Sequence, residues 1–207
     1  MLFDDTYRTP NQPAEGLFRD RGSKFLAFVY PIRTETEVKA HLEALRKDQP
    51  KANHHCYAYR LGLGKDTYRV SDDGEPNGTA GRPILNTIYG LDQPGQPLTN
   101  LLAVVVRYFG GTLLGVPGLI NAYKSATADA LANARLVTRT VNDVYRIEFG
   151  FERMNDVMKL VKEQQLTVLN QAFDTACALE VEMRKTQVNS VLKRIETLDD
   201  VTATWLY

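Results

Sequence analysis

The sequence predicts an α+β protein built from two regions of different character. Strand-like and helix-like segments mix along the 207-residue chain, which is long enough for one large domain or two small ones. Nine of the 14 glycines fall between Gly74 and Gly118, and only Gly150 follows them. The first region is therefore predicted to contain loops whose backbone conformations favour glycine, whereas the second is predicted to consist of regular packed elements.

Before residue 140, hydrophobic periodicity predicts strands and two helices. The first helix has apolar side chains at helical spacing and Thr34 or Thr36 as its cap, and the second is rich in alanine. The predicted strands are 25–30, 56–61 and 101–107, with 68–70 as a hairpin partner of 56–61, and the predicted helices are 36–47 and 119–133. The second helix would bury Leu119, Ala122, Tyr123, Ala126, Ala130 and Ala134. Residues 84–89 carry too little signal for an assignment.

After residue 140, the elements follow one another in the order βαββαβ. The predicted strands are 144–150, 166–173, 176–183 and 201–207, and the predicted helices are 154–164 and 188–198. A turn at Asp174 and Thr175 joins the two middle strands. This order is typical of ferredoxin-like domains. We therefore predict a domain boundary between residues 138 and 139.

Composition and charge exclude several classes of protein. The longest aliphatic run, 101–106, has six residues, whereas a membrane span needs about 20. Two cysteines are too few for a disulfide framework, and the first residues lack the pattern of a secretory signal, so we expect a cytoplasmic protein. The 25 basic and 25 acidic residues balance, but residues 51–140 hold nine basic and six acidic ones. This excess is too small for a dedicated nucleic-acid binder and favours a transient partner.

The first candidate site is the acidic loop, residues 71–83. Asp72, Asp73 and Glu75 are hard oxygen ligands for a cation, although their spacing is not that of an EF-hand. We favour the alternative that they cap backbone N–H groups and pair with Arg82. The N–H groups of Gly78, Thr79 and Gly81 would then form a concavity that binds an anion, with Arg82 adding a positive charge.

The second candidate site is the glycine loop, residues 107–118, which lies between a buried strand and a helix. Unpaired N–H groups and the helix dipole converge in such a loop and can hold a phosphate, although neither GxxxxGK[ST] nor GxGxxG is present. The alternative is close packing of the helix on the sheet, and the two interpretations are compatible. The residues that would bind an anion or RNA here are Arg107, Tyr108, Gly110, Gly111, Gly115, Gly118 and Lys124.

A third group, His54, His55 and Cys56, has the residue types of a zinc site or of a cysteine nucleophile with a histidine base. Neighbouring side chains of a strand point to opposite faces, so the two histidines cannot reach one ion. No spacing supports a catalytic cysteine–histidine pair. We therefore predict no catalytic residue, metal or cofactor, and we keep both histidines as further binding candidates.

These segments together resemble the Impact/YigZ family. The matching residues are the acidic loop, Val104 to Gly111, His54 to Cys56 upstream and Leu114 to Tyr123 downstream, and the likeness covers about residues 15–135. Relatives usually carry Gly-Gly in place of Pro117 and Gly118, and a basic residue in place of Asn121. Both departures weaken a phosphate site, because one N–H donor and one positive charge are lost.

The resemblance implies a fold and a function. The fold would be a domain like the second domain of ribosomal protein S5, an α/β sandwich, followed by the ferredoxin-like domain, a pair similar to domains four and five of elongation factor G. The eukaryotic member relieves inhibition by an initiation-factor kinase by competing for that kinase's activator. We therefore expect a noncatalytic, translation-linked regulator that binds RNA, the ribosome or a protein partner. The alternative is a nucleotide- or phosphate-binding enzyme of small molecules with a cation at the acidic loop.

Overall fold

The chain forms two compact units, and each has its own core. The computed structural model describes residues 5–64, 67–173 and 177–207. The first unit is Thr6–Arg139, and the second consists of Thr140–Tyr207 together with Asp5. Helices and antiparallel strands occur in both units, so the structure has the α+β character that the sequence predicts.

The first unit is organised around a five-stranded antiparallel sheet with the order β2-β3-β6-β4-β5, and β1 pairs with β7 in a separate two-stranded sheet. Its elements are β1 Thr6–Pro10, β2 Ala14–Asp20, β3 Ser23–Pro31, α1 Glu35–Asp48, β4 His54–Arg60, β5 Tyr68–Ser71, α2 Gly81–Tyr89, β6 Leu101–Tyr108, α3 Gly115–Asn133 and β7 Leu136–Thr140. The predicted hairpin of β4 and β5 is present.

Strand β6 is buried on both faces because helices cover both sides of the sheet. Its even-numbered residues, from Leu102 to Val106, pack with α1, whereas the odd-numbered residues, from Leu101 to Val105, pack with α2 and α3. Full burial stabilises each such side chain by about 1.5–3 kcal/mol. The same alternation sends the last two side chains of the strand, Arg107 and Tyr108, to opposite faces.

Helix α1 begins where the capping pattern predicts. Thr34 is the capping residue, and its hydroxyl accepts a hydrogen bond from the backbone N–H of Glu37 (3.3 Å). Glu35 and Glu37 lie in the first turn, where carboxylates interact favourably with the helix dipole.

The second unit is a four-stranded antiparallel sheet with the order β11-β8-β10-β9. Its elements are β8 Asn142–Phe149, a short 3-10 helix Phe151–Arg153, α4 Met154–Glu163, β9 Thr167–Phe173, β10 Cys177–Arg184, α5 Val188–Ile195 and β11 Val201–Trp205. Apolar side chains of α4 and α5 form one core with the sheet. The predicted turn at Asp174 and Thr175 lies outside the described residues.

Four elements of the first unit were not predicted: β1, β2, α2 and β7. In addition, Ala134 is only partly buried, because its backbone is extended at the end of α3 and has left the helical register. Among the described residues, no helix is long and apolar enough to cross a membrane.

Candidate functional site

The carboxylate of Asp72 holds the acidic loop together from within. It accepts hydrogen bonds from the N–H groups of Gly78 (2.8 Å) and Gly81 (2.8 Å), while the N–H of Thr79 donates to the carbonyl of Pro76 (3.0 Å). The predicted anion-binding concavity at these three residues is therefore wrong. Their donors are already satisfied, because the chain supplies its own anion.

The other two carboxylates of the loop bind elsewhere. Asp73 accepts a hydrogen bond from the N–H of His55 (2.6 Å) and pairs with Arg46 (3.4 Å), whereas Glu75 turns into the interior. The predicted pairing of these carboxylates with Arg82 is wrong, since their cationic partners come from other elements. The three carboxylates also do not converge, and in the described part of the chain no cluster of three or more potential ligands could hold a metal ion.

Glu75 joins the two predicted loops beneath the surface. One of its carboxylate oxygens accepts hydrogen bonds from the guanidinium of Arg107 (2.6 Å) and the hydroxyl of Tyr123 (2.8 Å), and the His54 ring nitrogen Nε2 lies 3.9 Å away. Glu75 is 8% exposed and Arg107 is 5% exposed. Arg107 therefore neutralises an internal charge, and the expectation that it contacts phosphate at the surface is wrong.

The thiol of Cys56 belongs to the same buried network. It donates to the carbonyl of Asp72 (3.0 Å) and lies 3.3 Å from the hydroxyl of Tyr123. Burial raises the pKa of both Cys56 and Tyr123 far above their ordinary values, because the charged forms would lose their hydration. At neutral pH both groups therefore stay protonated, which is unsuited to a nucleophile or a base.

The two histidines point to opposite sides of β4, as strand alternation requires. The Nδ1 atom of His54 lies 2.8 Å from the carbonyl oxygen of Asp73, on the side of Glu75. His55 is buried on the other side, and loss of hydration is the main reason why its pKa is lowered. Both histidines therefore contact structural groups of the first unit, and His54 remains partly exposed.

The glycine loop combines tight packing with unusual backbone angles. A Cβ atom on Gly110 would lie 1.9 Å from the carbonyl carbon of Gly22, and one on Gly118 would lie 2.9 Å from the Cβ of Leu114. Gly111 and Gly115 have φ angles of +87° and +71°, which side chains disfavour. Gly110 therefore permits close approach to the turn between β2 and β3, and Gly118 permits close approach of the Leu114 side chain; neither contact is the predicted packing of the helix on the sheet.

The two aromatic residues at the end of β6 have different surroundings. The hydroxyl of Tyr108 donates to the side-chain oxygen of Gln49 (2.6 Å), and its ring packs on the α1 face. Phe109 is 44% exposed, and its backbone N–H donates to Asn53 (2.8 Å). Phe109 is therefore the more accessible of the two for a binding partner.

An exposed apolar patch follows Phe109 along the chain. We define the apolar patch as Phe109, Leu113, Val116 and Ile120, on the β6–α3 connection and the first two turns of α3. Leu113 is 82% exposed and Val116 is 51% exposed. Leu113 and Val116 were not among the predicted binding residues, although exposed apolar surface of this kind marks interaction sites.

A groove of about 650 Å³ lies between α2 and α3. Apolar atoms make up most of its lining, and Leu91 and Ile120 are its exposed large apolar side chains. Three residues predicted to bind a partner line it: Gly78, Arg82 and Lys124. Neither Arg82 nor Lys124 forms an ion pair with an acidic residue in the described ranges. The structure therefore brings these two cations to one concave, accessible feature.

Comparison of the chain with known proteins identifies its family. Residues 21–131 match the model of the Impact N-terminal domain. An IMPACT family member of Haemophilus influenzae is 31% identical over 153 residues, which are 73% of this chain and 72% of the relative. The IMPACT family member YigZ of Escherichia coli is 28% identical over 186 residues, 89% of each chain.

A solved structure has a similar fold over nearly the whole chain. It is described as the crystal structure of a hypothetical protein, is 26% identical and covers 98% of both chains with a TM-score of 0.70. The molecule is thus a two-unit α+β protein whose accessible features include an apolar patch and a groove with two cations, neither of which has an acidic partner among the described residues. The chain belongs to the IMPACT family.

Proposed function

We propose that the protein is a noncatalytic, translation-linked regulator that binds the ribosome, its RNA or a translation-related protein. The apolar patch is the observation that carries this proposal. Four large apolar side chains lie exposed within twelve residues, and surfaces of this kind mark interaction sites. The groove and its two cations adjoin the same helix, α3, and extend the binding surface.

The link to translation rests on family membership and on the form of the two units. In the first unit, α2 and α3 cover one face of an antiparallel sheet, which agrees with the α/β sandwich of a domain like the second domain of ribosomal protein S5, and α1 covers the other face. The second unit has the element order βαββαβ and the strand order β11-β8-β10-β9, which agrees with a ferredoxin-like domain. We propose these assignments for residues 1–138 and 139–207, and a cytoplasmic location, where ribosomes work.

The buried polar network favours binding over catalysis. Arg107 and Tyr123 both donate hydrogen bonds to Glu75 in the interior, and Cys56 stays protonated beside them. A catalytic group must instead reach a substrate. The alternative of a nucleotide-binding enzyme needs free N–H groups and a cation at the acidic loop, where Asp72 already occupies the donors. A magnesium-dependent nucleotide affinity that disappears in Asp73→Ala would favour this alternative.

Arg82 and Lys124 are the cations through which we propose that the surface meets its partner. Both are exposed, whereas Arg107 is withdrawn into the interior. Gly111 and Gly115 give the β6–α3 connection the shape that presents Leu113 and Val116. The partner therefore contacts apolar side chains at the loop and positive charge at the groove.

Co-sedimentation with ribosomes tests the proposal. We expect the wild-type chain to sediment with ribosomes and the double variant Leu113→Ser, Val116→Ser to lose at least ten-fold in the bound fraction. Phe151→Ser is the matched control, because Phe151 is 77% exposed but lies in the second unit. Equal sedimentation of the double variant and wild type would refute the role of the apolar patch, and no sedimentation by wild type would refute the ribosome and ribosomal-RNA versions of the proposal.

The salt dependence of sedimentation separates the RNA version from the protein version. If RNA phosphates are contacted, sedimentation falls steeply with salt, because bound counterions are released. Arg82→Glu with Lys124→Glu should reduce sedimentation in both versions, because both cations contact the partner. Binding that needs Leu113 and Val116 but falls only weakly with salt points to a protein component of the ribosome.

A further inference from the structure

We propose that the groove between α2 and α3 binds an amphipathic helix with acidic residues, contributed by the partner protein. This inference deepens the proposed function, on which it rests for the expectation that this face meets a partner. Three observations carry it: the shape of the two walls, the charges upon them and the length of the groove.

The α2 wall carries two rows of residues, one of which is Pro83, Thr87 and Leu91. Arg82, Asn86 and Gly90 line the groove at intervals of four residues, so they follow one row along the helix surface. Such rows are the ridges between which a neighbouring helix packs. Gly90 has no side chain, so the backbone of an occupant can approach closely at the end of this wall.

The α3 wall repeats this arrangement over a longer distance. Ile120, Lys124, Ala128 and Ala132 line the groove, again at intervals of four residues. The ridge is about 18 Å long at 1.5 Å per residue, which matches a helix of about 12 residues. Val116 lies one further step along the same row, so the ridge continues into the apolar patch.

The charges on the two walls select the occupant. Arg82 stands on α2 and Lys124 on α3, and neither has an acidic partner within the ranges that the structure describes. Between them the lining is predominantly apolar. An occupant that complements both features has an apolar stripe flanked by carboxylates, which describes an acidic amphipathic helix.

Labelled synthetic peptides of about 14 residues test this proposal by fluorescence anisotropy with the full chain. One peptide carries an apolar face at i, i+3, i+4 and i+7 with glutamates beside it, and a second replaces each glutamate with lysine. We expect the acidic peptide to bind at least ten-fold more tightly than the basic one. Laurate, an anion with an apolar tail, is the third probe.

Variants of the groove make the test specific. Ala128 is exposed, so the larger side chain of Ala128→Trp would fill the groove and should lower the affinity for the acidic peptide at least ten-fold. The double reversal Arg82→Glu, Lys124→Glu should invert the preference, so that the basic peptide binds more tightly. The matched control is Lys39→Glu, Lys47→Glu on α1, which should change neither affinity. Circular dichroism verifies that each variant remains folded.

Each outcome decides for or against the proposal. The proposal is overturned if the acidic peptide does not bind or if both peptides bind equally. It is also overturned if neither Ala128→Trp nor the charge reversal changes the affinity for the peptides. Binding of laurate without the acidic peptide assigns the groove to a small amphiphile and also overturns it. If ribosome sedimentation still needs Leu113 and Val116 in that case, only the groove inference fails. If the peptide binds as expected but ribosomes do not, the ribosome version of the proposed function fails instead.

Discussion

Replacing Arg107 with methionine should destabilise the first unit strongly. In Arg107→Met the carboxylate of Glu75 stays buried but loses its ion pair of 2.6 Å. Breaking a buried pair by removing one partner costs about 3–5 kcal/mol, because the remaining charge is uncompensated. The hydroxyl of Tyr123 still donates to Glu75, but it supplies no positive charge.

The matched double variant Glu75→Gln, Arg107→Met separates charge from packing. It removes both charges and keeps a group that can accept from Tyr123, so it should recover most of the lost free energy of unfolding. Urea unfolding followed by far-UV circular dichroism measures both variants. The single tryptophan, Trp205, lies in β11, so its fluorescence reports separately on the second unit and should not change.

A small effect would refute this reasoning. If Arg107→Met lowers the free energy of unfolding by less than about 1 kcal/mol, the value typical of an exposed ion pair, the burial of this network is wrong. If such a stable variant also no longer sedimented with ribosomes, Arg107 would have to be a surface residue that contacts the partner.

Three further predictions concern the loops and the second unit. Asp72→Ala should lower the free energy of unfolding by at least about 2 kcal/mol in urea, because buried N–H donors of the acidic loop lose their acceptor; an unchanged midpoint would contradict this. Gly110→Ala should lower the thermal midpoint sharply, since its Cβ would lie 1.9 Å from the backbone of Gly22, and a wild-type midpoint would show that the contact is absent. Burial raises the pKa of Asp5, but hydrogen bonds, chiefly from Arg184, outweigh this and hold it below its ordinary value. Asp5 therefore stabilises the fold above its unfolded pKa of about 3.9, and this contribution disappears as pH falls through the folded pKa. Asp5→Asn should thus be less stable than wild type at pH 7 and equally stable once Asp5 is protonated; a difference independent of pH would exclude this linkage.

Local periodicity was sufficient for most of the fold. Strand β8 and helices α4 and α5 follow from repeats of two and 3.6 residues, and β6 follows from its run of β-branched residues; all of these signals depend only on neighbours in the chain. Helix α2 was missed because it has nine residues, begins with Gly81, Arg82 and Pro83, and contains β-branched side chains that are equally common in strands. A proline in the first helical turn is compatible with a helix, but in the sequence it resembles a turn.

The candidate site was harder to predict because its contacts are long-range. The sequence identifies both loops, but not that Asp72 satisfies the N–H groups or that Glu75 meets Arg107 from 32 positions away. One signal was available: Arg107 is in phase with Val105, so alternation places both on the face that α3 covers. The groove is formed by the packing of α2 against α3. Because α2 was not predicted from the sequence, the groove could not be predicted either.

Site-specific photo-crosslinking in living cells tests the central claim most directly. A photoreactive amino acid in place of Leu113 should yield a crosslinked product whose second component mass spectrometry identifies as a ribosomal protein, ribosomal RNA or translation factor. The same amino acid in place of Phe151, which is 77% exposed in the second unit, is the control and should not yield that product. The account would be contradicted if both positions gave the same crosslinked products or if position 113 gave none. A crosslinked partner unconnected with translation would also contradict it.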